Sequence, residues 1–185
     1  MSLEPALRGK TIALIGLMGA GKSSIGRRLA HSLDLPFRDA DEEVERAAGR
    51  SVSDIFAELG EPAFRAGERR VIARLLTEPP HVLATGGGAF MDAQTRELIA
   101  QHAVSVWLKA DIEVLARRVA RKSDRPLLQN GDPAQILREL AAVRYPVYAL
   151  ADITVDSMDT AHSTTVHAIL MAMRARLAEQ QAAAS

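Results

Sequence analysis

The sequence predicts one α/β domain with a five-stranded parallel sheet flanked by helices. Two observations support this prediction. Short apolar runs typical of buried strands alternate along the chain with amphipathic segments of helical period, which is the pattern of repeated strand-helix-strand units. The 185 residues, 48% of them hydrophobic, are enough for one well-packed core and too few for two comfortable ones. We therefore treat residues 1–185 as a single domain.

The first strand and the first helix flank the strongest functional signal. Residues 16–23 read GLMGAGKS and match the P-loop pattern G-x-x-x-x-G-K-[ST], between an apolar run at residues 11–15 and apolar positions at four-residue spacing from Ile25. Glycines let such a loop approach a polyanion, and free N–H groups of the following helix point at phosphate oxygens. Lys22 would reach the β- and γ-phosphates and Ser23 would bind Mg²⁺. A glycine-rich turn without a ligand is the alternative, but the flanking strand and helix favour a nucleoside triphosphate site.

The second strand is predicted over Leu35-Pro36-Phe37, and a helix begins soon after it. This strand delivers Asp39 and Asp41 to the carboxyl edge of the sheet, where parallel α/β proteins bind their ligands. Aspartate is also a common helix N-cap, so a structural role is the alternative for either residue. The pair D-x-D beside a P-loop favours function, with one carboxylate near Mg²⁺ and one on the acceptor substrate.

The next helices contain a break and a group of arginines. Gly49 is predicted to end one helix, Ser51 or Ser53 to cap the next, and Gly-Glu-Pro at residues 60–62 to interrupt it. A longer helix follows, with Arg65 at its start. Periodicity alone does not separate Arg65 from three further arginines, which we interpret as a solvated face: Arg69, Arg70 and Arg74.

The third strand, residues 81–85, is followed at once by three glycines at residues 86–88. Three consecutive glycines lose much conformational entropy on folding, so they indicate that the backbone passes another group too closely for a Cβ atom. A merely flexible turn is the alternative. A helix over residues 92–102 and a strand over residues 104–108 complete another right-handed crossover unit.

A lid is predicted over residues 122–133, which are polar, contain proline and glycine, and are too long for a tight connection. Such a lid would bring Arg125 to the γ-phosphate, where phosphoryl transfer needs positive charge and exclusion of water. Pro146 is expected to kink or interrupt the helix that follows. The tail from about residue 180 to residue 185 is expected to fray. The other elements predicted in this part of the chain are helices over residues 111–121, 134–150 and 163–181 and a strand over residues 153–155.

The composition argues against several classes of function. The 23 basic and 23 acidic residues give a net charge of zero, which removes the general attraction to phosphate backbones on which nucleic-acid binders depend. The sequence has no basic and apolar leader and no apolar run of about 18 residues, so we expect a cytoplasmic protein without a membrane partner. Cysteine is absent and the five histidines are scattered, so neither thiolates nor histidines predict a metal site.

Taken together, these segments resemble the shikimate kinase family over nearly the whole chain, from about Lys10 to Asp156. Six motifs of that family occur in order: the P-loop, D-x-D, G-E-x-x-F-R at residues 60–65, the triple glycine, R-P-L-L at residues 125–128, and R-x-P-x-Y at residues 144–148. The resemblance implies a three-layer P-loop kinase fold with a lid and substrate-binding helices. It also implies an enzyme that uses ATP and Mg²⁺ to phosphorylate the 3-hydroxyl of shikimate, on the route to aromatic amino acids.

The resemblance further implies roles for single residues. Those that would bind the nucleotide are Gly19, Ala20, Gly21, Lys22, Ser23, Ser24, Arg118 over the adenine, and Arg125 of the lid. Those that would bind shikimate are Asp41, Gly86, Gly87, Gly88 and the carboxylate clamp of Arg65 and Arg144. Ser23 would bind Mg²⁺ directly and Asp39 through water. The catalytic residues would be Lys22, Arg125 and Asp41, which either positions the hydroxyl or acts as its base.

Other interpretations stay open at this point. A nucleoside monophosphate kinase would also use a P-loop and an arginine lid, and a gluconate-type kinase would also clamp a carboxylate. The D-x-D motif together with the triple glycine favours shikimate over both. A non-catalytic sensor on the same fold is a third alternative, which formation of ADP only in the presence of shikimate would exclude. We expect a monomer whose partner is its small-molecule substrate.

Overall fold

The computed structural model describes residues 9–120, 132–157 and 161–183. Its centre is a five-stranded sheet of strand order β2-β3-β1-β4-β5, in which all neighbouring strands are parallel. The strands are β1 (Thr11–Ile15), β2 (Phe37–Asp39), β3 (Val82–Ala84), β4 (Ala103–Lys109) and β5 (Ile153–Asp156). The predicted fold class, α/β with five parallel strands, is confirmed.

Helices connect and flank these strands. Within the described ranges they are α1 (Lys22–Leu33), α2 (Ala40–Ala48), α3 (Val52–Leu75), α4 (Ala93–His102), α5 (Ile112–Ala120), α6 (Pro133–Tyr148) and α7 (His162–Ala183), with a 3₁₀ turn at Ala89–Met91. None of the helices in this part of the chain is both long and apolar enough to cross a bilayer.

The strand β1 lies in the middle of the sheet and leads into the P-loop. All five of its residues are buried, as expected for a strand covered on both faces. Leu14 pairs with Ala84 of β3 on one side and with Val106 of β4 on the other. Leu29 and Leu33 of α1 are also buried, so the apolar face predicted for this helix packs into the core. The loop between β1 and α1 therefore starts and ends on fixed elements.

Local chemistry sets the helix boundaries around α2 and α3. Gly49 ends α2 with φ 66°, and Ser51 begins α3 with a capping box in which its side chain and that of Asp54 exchange hydrogen bonds with each other's backbone N–H. Gly60 has φ 80° and ψ 170°, so α3 consists of two helical halves joined at this residue. The predicted helix end, the cap at Ser51 and the break near Gly60 are confirmed.

Two element predictions need correction. The strand β2 starts at Phe37, not at Leu35, because the Leu35 N–H donates back to the Ala30 carbonyl at the end of α1, while Pro36 has no N–H for the sheet. The helix α6 continues through Pro146 to Tyr148, so Pro146 does not interrupt it, and a kink at this residue stays a prediction. Proline removes only one hydrogen bond there, and the residue lies in the last turn of the helix.

The last residue of the predicted lid begins α6. Of residues 122–133, only 132 and 133 are described: Asp132 caps α6 by accepting from the Ala134 N–H, and Pro133 is the first helical residue. Arg125 lies outside the described residues. The last helix reaches Ala183, two residues beyond the predicted end, and fraying of the tail stays a prediction.

Gly67 and Gly49 form a matched pair for a stability test. A Cβ atom added at either would meet no atom within 4 Å, but Gly67 lies inside α3 whereas Gly49 has φ +66°. Gly67→Ala should raise the free energy of unfolding by about 0.5–1 kcal/mol, because alanine loses less backbone entropy on folding. Gly49→Ala should lower it by about 1 kcal/mol, because the left-handed conformation disfavours a Cβ atom. Urea denaturation measures both, and a destabilised Gly67→Ala would contradict the open space at this position.

Candidate active site

The loop between β1 and α1 has the conformation of a phosphate-binding loop. Its backbone turns at Gly19 and Gly21, with φ 82° and 89°, a region that favours glycine. A Cβ atom on Gly19 would also lie 2.9 Å from Cγ2 of Val119 on α5. On the other side, the Ser157 hydroxyl at the end of β5 donates to the carbonyl of the buried Ala20 at 3.0 Å. The loop is thus held from two sides in front of the N-terminus of α1.

Two of the predicted nucleotide-binding cations lie against this loop. Lys22 Nζ donates to the carbonyl oxygens of Gly16 and Leu17, at 2.8 and 3.0 Å. Arg118 of α5 donates from Nη1 to the carbonyl of Gly19 at 3.3 Å. Both cations therefore hydrogen bond to the backbone of the same loop.

Asp39 has two contacts at the end of β2. Its Oδ1 accepts from the Asp41 N–H at 3.1 Å and so caps α2, and its Oδ2 accepts from the Ser23 hydroxyl at 2.6 Å. The structural and functional alternatives for this aspartate are therefore compatible. Ser23 and Ser24 are exposed in the first turn of α1. Hydroxyl and carboxylate oxygens suit Mg²⁺, which commonly takes phosphate oxygens and water for its other positions, so the residues present fit this metal.

Gly86 approaches two carboxylates. A Cβ atom on it would lie 2.1 Å from Oε1 of Glu68 and 3.1 Å from Oδ1 of Asp41. The first distance is far shorter than any real carbon contact, so no larger residue fits without displacing Glu68, which is buried. The close approach predicted from the triple glycine is present, and it brings Asp41 beside the end of β3.

The next two glycines approach the two arginines of the predicted clamp. A Cβ atom on Gly87 would lie 3.2 Å from Nη1 of Arg144, and one on Gly88 would lie 2.5 Å from the guanidinium carbon of Arg65. Arg65 comes from α3 and Arg144 from α6, 79 positions later in the chain. The fold thus brings two distant cations to one short stretch of backbone.

Arg65 is held by neighbours on its own helix. Its Nη1 donates to Oε2 of Glu68 at 2.7 Å, and its Nε and Nη2 donate to Oε1 of Glu61 at 3.2 and 3.0 Å. The guanidinium carbon lies 5.1 Å from the centroid of the Phe64 ring, which packs against Phe56 at 4.8 Å. The Arg65 side chain is 27% exposed. These contacts distinguish Arg65 from the arginines of the solvated face, a distinction that helical periodicity alone could not make.

The three arginines interpreted as a solvated face lie further along α3. Arg70 is exposed. Arg69 pairs with Asp92 at 3.1 Å, and Arg74 pairs with Glu43 at 2.8 Å, with side chains 41% and 52% exposed. Arg74 thus also compensates a buried carboxylate, which helical periodicity did not indicate.

Tyr148 supports the clamp, although the sequence indicated it only as part of a motif. It is fully buried, its hydroxyl donates to the carbonyl of Gly87, and it hydrogen bonds with Arg144. Burial raises the pKa of Tyr148, so the phenol keeps its proton and remains a donor. Arg144 is itself only 8% exposed. The aromatic end of α6 therefore fixes both the arginine and the glycine backbone it faces.

Glu68 is a site residue that the sequence analysis missed. It is 2% exposed, and its Oε1 has no hydrogen-bond partner in the described part of the chain. Burial raises the pKa of Glu68; Arg65 lowers it and the Asp41 carboxylate raises it, with a raised pKa as the net result. Its position three residues after Arg65 on a helix was the available signal, because such residues are neighbours.

The pH dependence of stability tests this assignment. Because the pKa of Glu68 lies above its ordinary 4.5 in the folded protein, the folded state binds more protons than the unfolded chain just above that pH. The contribution of Glu68 to stability is then complete below pH 4.5 and lost as the pH rises through the raised pKa. The free energy of unfolding of the wild type minus that of Glu68→Gln should therefore fall with rising pH in urea titrations. A difference that rises would mean that Arg65 favours the ionised form more than burial opposes it.

The loop, the paired aspartates and the clustered cations define a P-loop phosphotransferase. The family model described as Shikimate kinase matches residues 18–174. The chain belongs to the shikimate kinase family, and it is an enzyme, a phosphotransferase with an alcohol group as acceptor.

Similar proteins agree with this assignment. A shikimate kinase of Caulobacter vibrioides is 70% identical over 168 residues, which cover 91% of this chain and 84% of the relative. A shikimate kinase from Acinetobacter baumannii, solved in complex with shikimate, is 37% identical with a TM-score of 0.89, covering 94% of this chain and 98% of the other. A gluconokinase from Sinorhizobium meliloti, 22% identical, has a TM-score of 0.61 and covers 96% of this chain and 98% of the other. At that identity the likeness shows the fold alone.

Proposed function

We propose that the enzyme transfers the γ-phosphoryl group of ATP to the 3-hydroxyl of shikimate, giving shikimate 3-phosphate and ADP on the route to aromatic amino acids. One observation carries the proposal for the acceptor: Arg65 and Arg144 lie against consecutive glycines, beside the Asp41 carboxylate. This arrangement suits a small molecule with a carboxylate at one end and hydroxyl groups at the other. The binding of shikimate by the relative from Acinetobacter baumannii supports the same choice.

On the donor side, the P-loop would hold the ATP phosphates. The N–H groups at the start of α1 and the Lys22 ammonium would bind their oxygens, and Arg118 would cover the adenine. In this structure Lys22 binds loop carbonyls at 2.8 and 3.0 Å, which keeps its charge at the loop. Arg125, predicted to neutralise charge at the γ-phosphate, lies outside the described residues and stays a sequence prediction.

Mg²⁺ would be held by the Ser23 hydroxyl and, through water, by Asp39. The ion would supply positive charge that neutralises the phosphate oxygens. The chain's own contribution is to orient these two ligands, and the 2.6 Å hydrogen bond between them does so. Asp39 is further fixed by its cap bond to the Asp41 N–H.

On the acceptor side, Asp41 would bind the hydroxyl groups of shikimate and position the reacting one. Glu68 would act as a positioning residue, because it fixes Arg65 through a 2.7 Å ion pair. Arg65 and Arg144 would bind the carboxylate with paired N–H donors, which a guanidinium offers and an ammonium does not. The triple glycine would let the substrate ring approach the backbone closely.

A coupled assay of ADP formation tests the proposal directly. The purified enzyme with ATP and Mg²⁺ is given shikimate, gluconate or nucleoside monophosphates as separate acceptors. ADP should form rapidly with shikimate and only at the background rate with the others. Rapid ADP formation with gluconate or a monophosphate would favour that kinase instead, and none with any acceptor would favour the sensor. The monomeric state and the cytoplasmic location stay predictions.

Asp39→Asn separates the two contacts of this residue. Asparagine caps helices as well as aspartate does, so the free energy of unfolding should change by less than about 0.5 kcal/mol. The lost charge should raise the Mg²⁺ concentration needed for half-maximal rate by about tenfold, since the water-mediated contact is weakened. Asp39→Ala is the matched control and should lose both properties, with about 1 kcal/mol less stability. If neither variant needs more Mg²⁺ than the wild type, Asp39 caps α2 but takes no part in Mg²⁺ binding.

A further inference from the structure

A cleft lies between α2 and α3. It has a volume of about 590 Å³, within the usual range for small-molecule sites. Its walls come from α2 and from both halves of α3, on either side of the break at Gly60. Apolar residues form most of it, including Val44, Ala47, Ile55 and Leu59. Leu59 is 59% exposed, so an apolar side chain stands uncovered at this cleft.

The cleft is separate from the acceptor site. Arg65, Glu68, Asp41 and the three glycines are not among its lining residues. Gly67 and Arg70, which do line it, follow the 3.6-residue period on the opposite face of α3 from Arg65. A ligand in this cleft would therefore not compete with shikimate for the same space.

The charges around the cleft are positive. The charged residues that line it are Arg50, Arg70 and Arg74. Arg50 pairs with Glu58, and Arg74 pairs with Glu43 and Glu78. Arg70 forms neither an ion pair nor a hydrogen bond with any residue in the described ranges. The cleft thus combines an apolar wall with an uncompensated guanidinium, which complements a ligand that has an apolar body and one negative charge.

Phe64 connects this cleft to the acceptor site. Its ring lines the cleft, packs on Phe56 at 4.8 Å, and lies under the Arg65 guanidinium at 5.1 Å. A ligand that packs on the outer face of this ring would alter the support of Arg65. Because coupling between two sites is reciprocal, shikimate would then change the affinity for the ligand by the same factor.

We propose that the cleft between α2 and α3 binds a small amphipathic organic anion, an aromatic or alicyclic carboxylate, and that this binding is coupled to shikimate through Phe64. The coupling rests on the proposed function, since it requires shikimate at Arg65. Binding itself does not, because it depends only on residues outside the acceptor site. The anion is recognised by its apolar body in the cleft and by its carboxylate on Arg70.

The test compares two probes of nearly equal shape, 1-naphthoate and its neutral amide. Each is titrated calorimetrically into the full chain in the presence of saturating shikimate. Shikimate occupies the carboxylate clamp, so naphthoate binding there is blocked. Naphthoate should bind with one-to-one stoichiometry and at least about threefold more tightly than the amide, from the charge pair with Arg70. Absence of saturable binding, or equal affinity for the two probes, would overturn the proposal.

Variants locate the site. Gly67→Leu should abolish naphthoate binding, because its side chain projects into the cleft from a position where a Cβ atom meets nothing within 4 Å. Arg70→Gln should weaken naphthoate at least about threefold and leave the amide unchanged. Arg138→Gln, an exposed arginine on α6 away from the cleft, is the matched control and should change neither. If Gly67→Leu still binds naphthoate, the probe binds outside the cleft and the proposed site is wrong.

The coupling has its own readout. The dissociation constant of shikimate, measured with and without saturating naphthoate, should change by at least about twofold. The dissociation constant of naphthoate should change by the same factor when shikimate is added. Phe64→Leu should reduce this factor while naphthoate still binds. If naphthoate binds in the cleft but leaves the dissociation constant of shikimate unchanged, the proposed coupling is wrong. If shikimate itself does not bind, the proposed function is wrong. Naphthoate titrations of the wild type and of Gly67→Leu then still test whether the cleft binds the anion.

Discussion

Lys22→Ala should leave a folded protein whose kcat for phosphorylation of shikimate is lower by at least about a hundredfold. Phosphoryl transfer requires little covalent chemistry from the protein, so positioning and charge stabilisation account for most of the catalysis. Lys22 is the one lysine of the P-loop, and its ammonium already lies 2.8 and 3.0 Å from loop carbonyls. Its removal takes away a cation that hydrogen bonds to the backbone of the loop itself.

Stability and turnover should be measured on the same sample of Lys22→Ala, by circular dichroism and by the coupled assay. Lys109→Ala is a suitable control, because Lys109 is an exposed lysine at the end of β4 and lies outside the loop. It should keep the wild-type rate. More than a tenth of the wild-type rate in a folded Lys22→Ala would exclude the lysine from the mechanism.

Arg65→Ala should reduce kcat/KM for shikimate by at least about thirtyfold while the affinity for ATP stays nearly unchanged. Loss of one member of a desolvated and hydrogen-bonded charge pair costs about 2–5 kcal/mol, and the lower figure corresponds to this factor. In the free enzyme Arg65 also pairs with the buried Glu68 at 2.7 Å, so the variant leaves that carboxylate without its partner. A loss of stability should therefore accompany the loss of activity.

Two comparisons separate these effects. Arg65→Lys keeps a positive charge near Glu68 but offers no parallel N–H donors, so it should regain stability and only part of the activity. Arg69→Ala removes an arginine of the same helix that pairs with Asp92 at 3.1 Å, and it should change kcat/KM by less than about twofold. If Arg65→Ala weakens ATP binding and leaves the KM for shikimate unchanged, the clamp assignment would be wrong.

The P-loop and the order of elements could be predicted from the sequence because their signals are local. A strand, eight residues of fixed pattern and an amphipathic helix follow one another without interruption, and the physics of the turn depends on those residues alone. The caps at Gly49 and Ser51 are local in the same way. The sequence pattern placed the start of the short strand β2 at Leu35. The strand begins at Phe37 instead, because the Leu35 N–H donates a hydrogen bond to the end of α1.

The support of the acceptor site could not be predicted, because it depends on residues far apart in the chain. Glutamate is usually a surface residue on a helix, but Glu68 is buried, with Gly86 and Arg65 among its neighbours. Tyr148 acquires its role when its hydroxyl meets the carbonyl of Gly87, 61 positions earlier. Arg65 differs from Arg70 in burial and partners, although both lie on the same helix with the same side chain.

The α/β class, the P-loop and the resemblance that implies the clamp could be inferred from sequence, since each depends on short local patterns and on their order along the chain. Which side chains share a site depends on how the chain folds. The strand order β2-β3-β1-β4-β5 brings the ends of β1, β2 and β3 to one edge. The triple glycine lets Glu68, Arg144 and Arg65 approach its backbone closely, and a Cβ atom would clash with Glu68 and Arg65 and crowd Arg144. Burial and charge then fix the properties of these groups, because both depend on neighbours that only folding supplies.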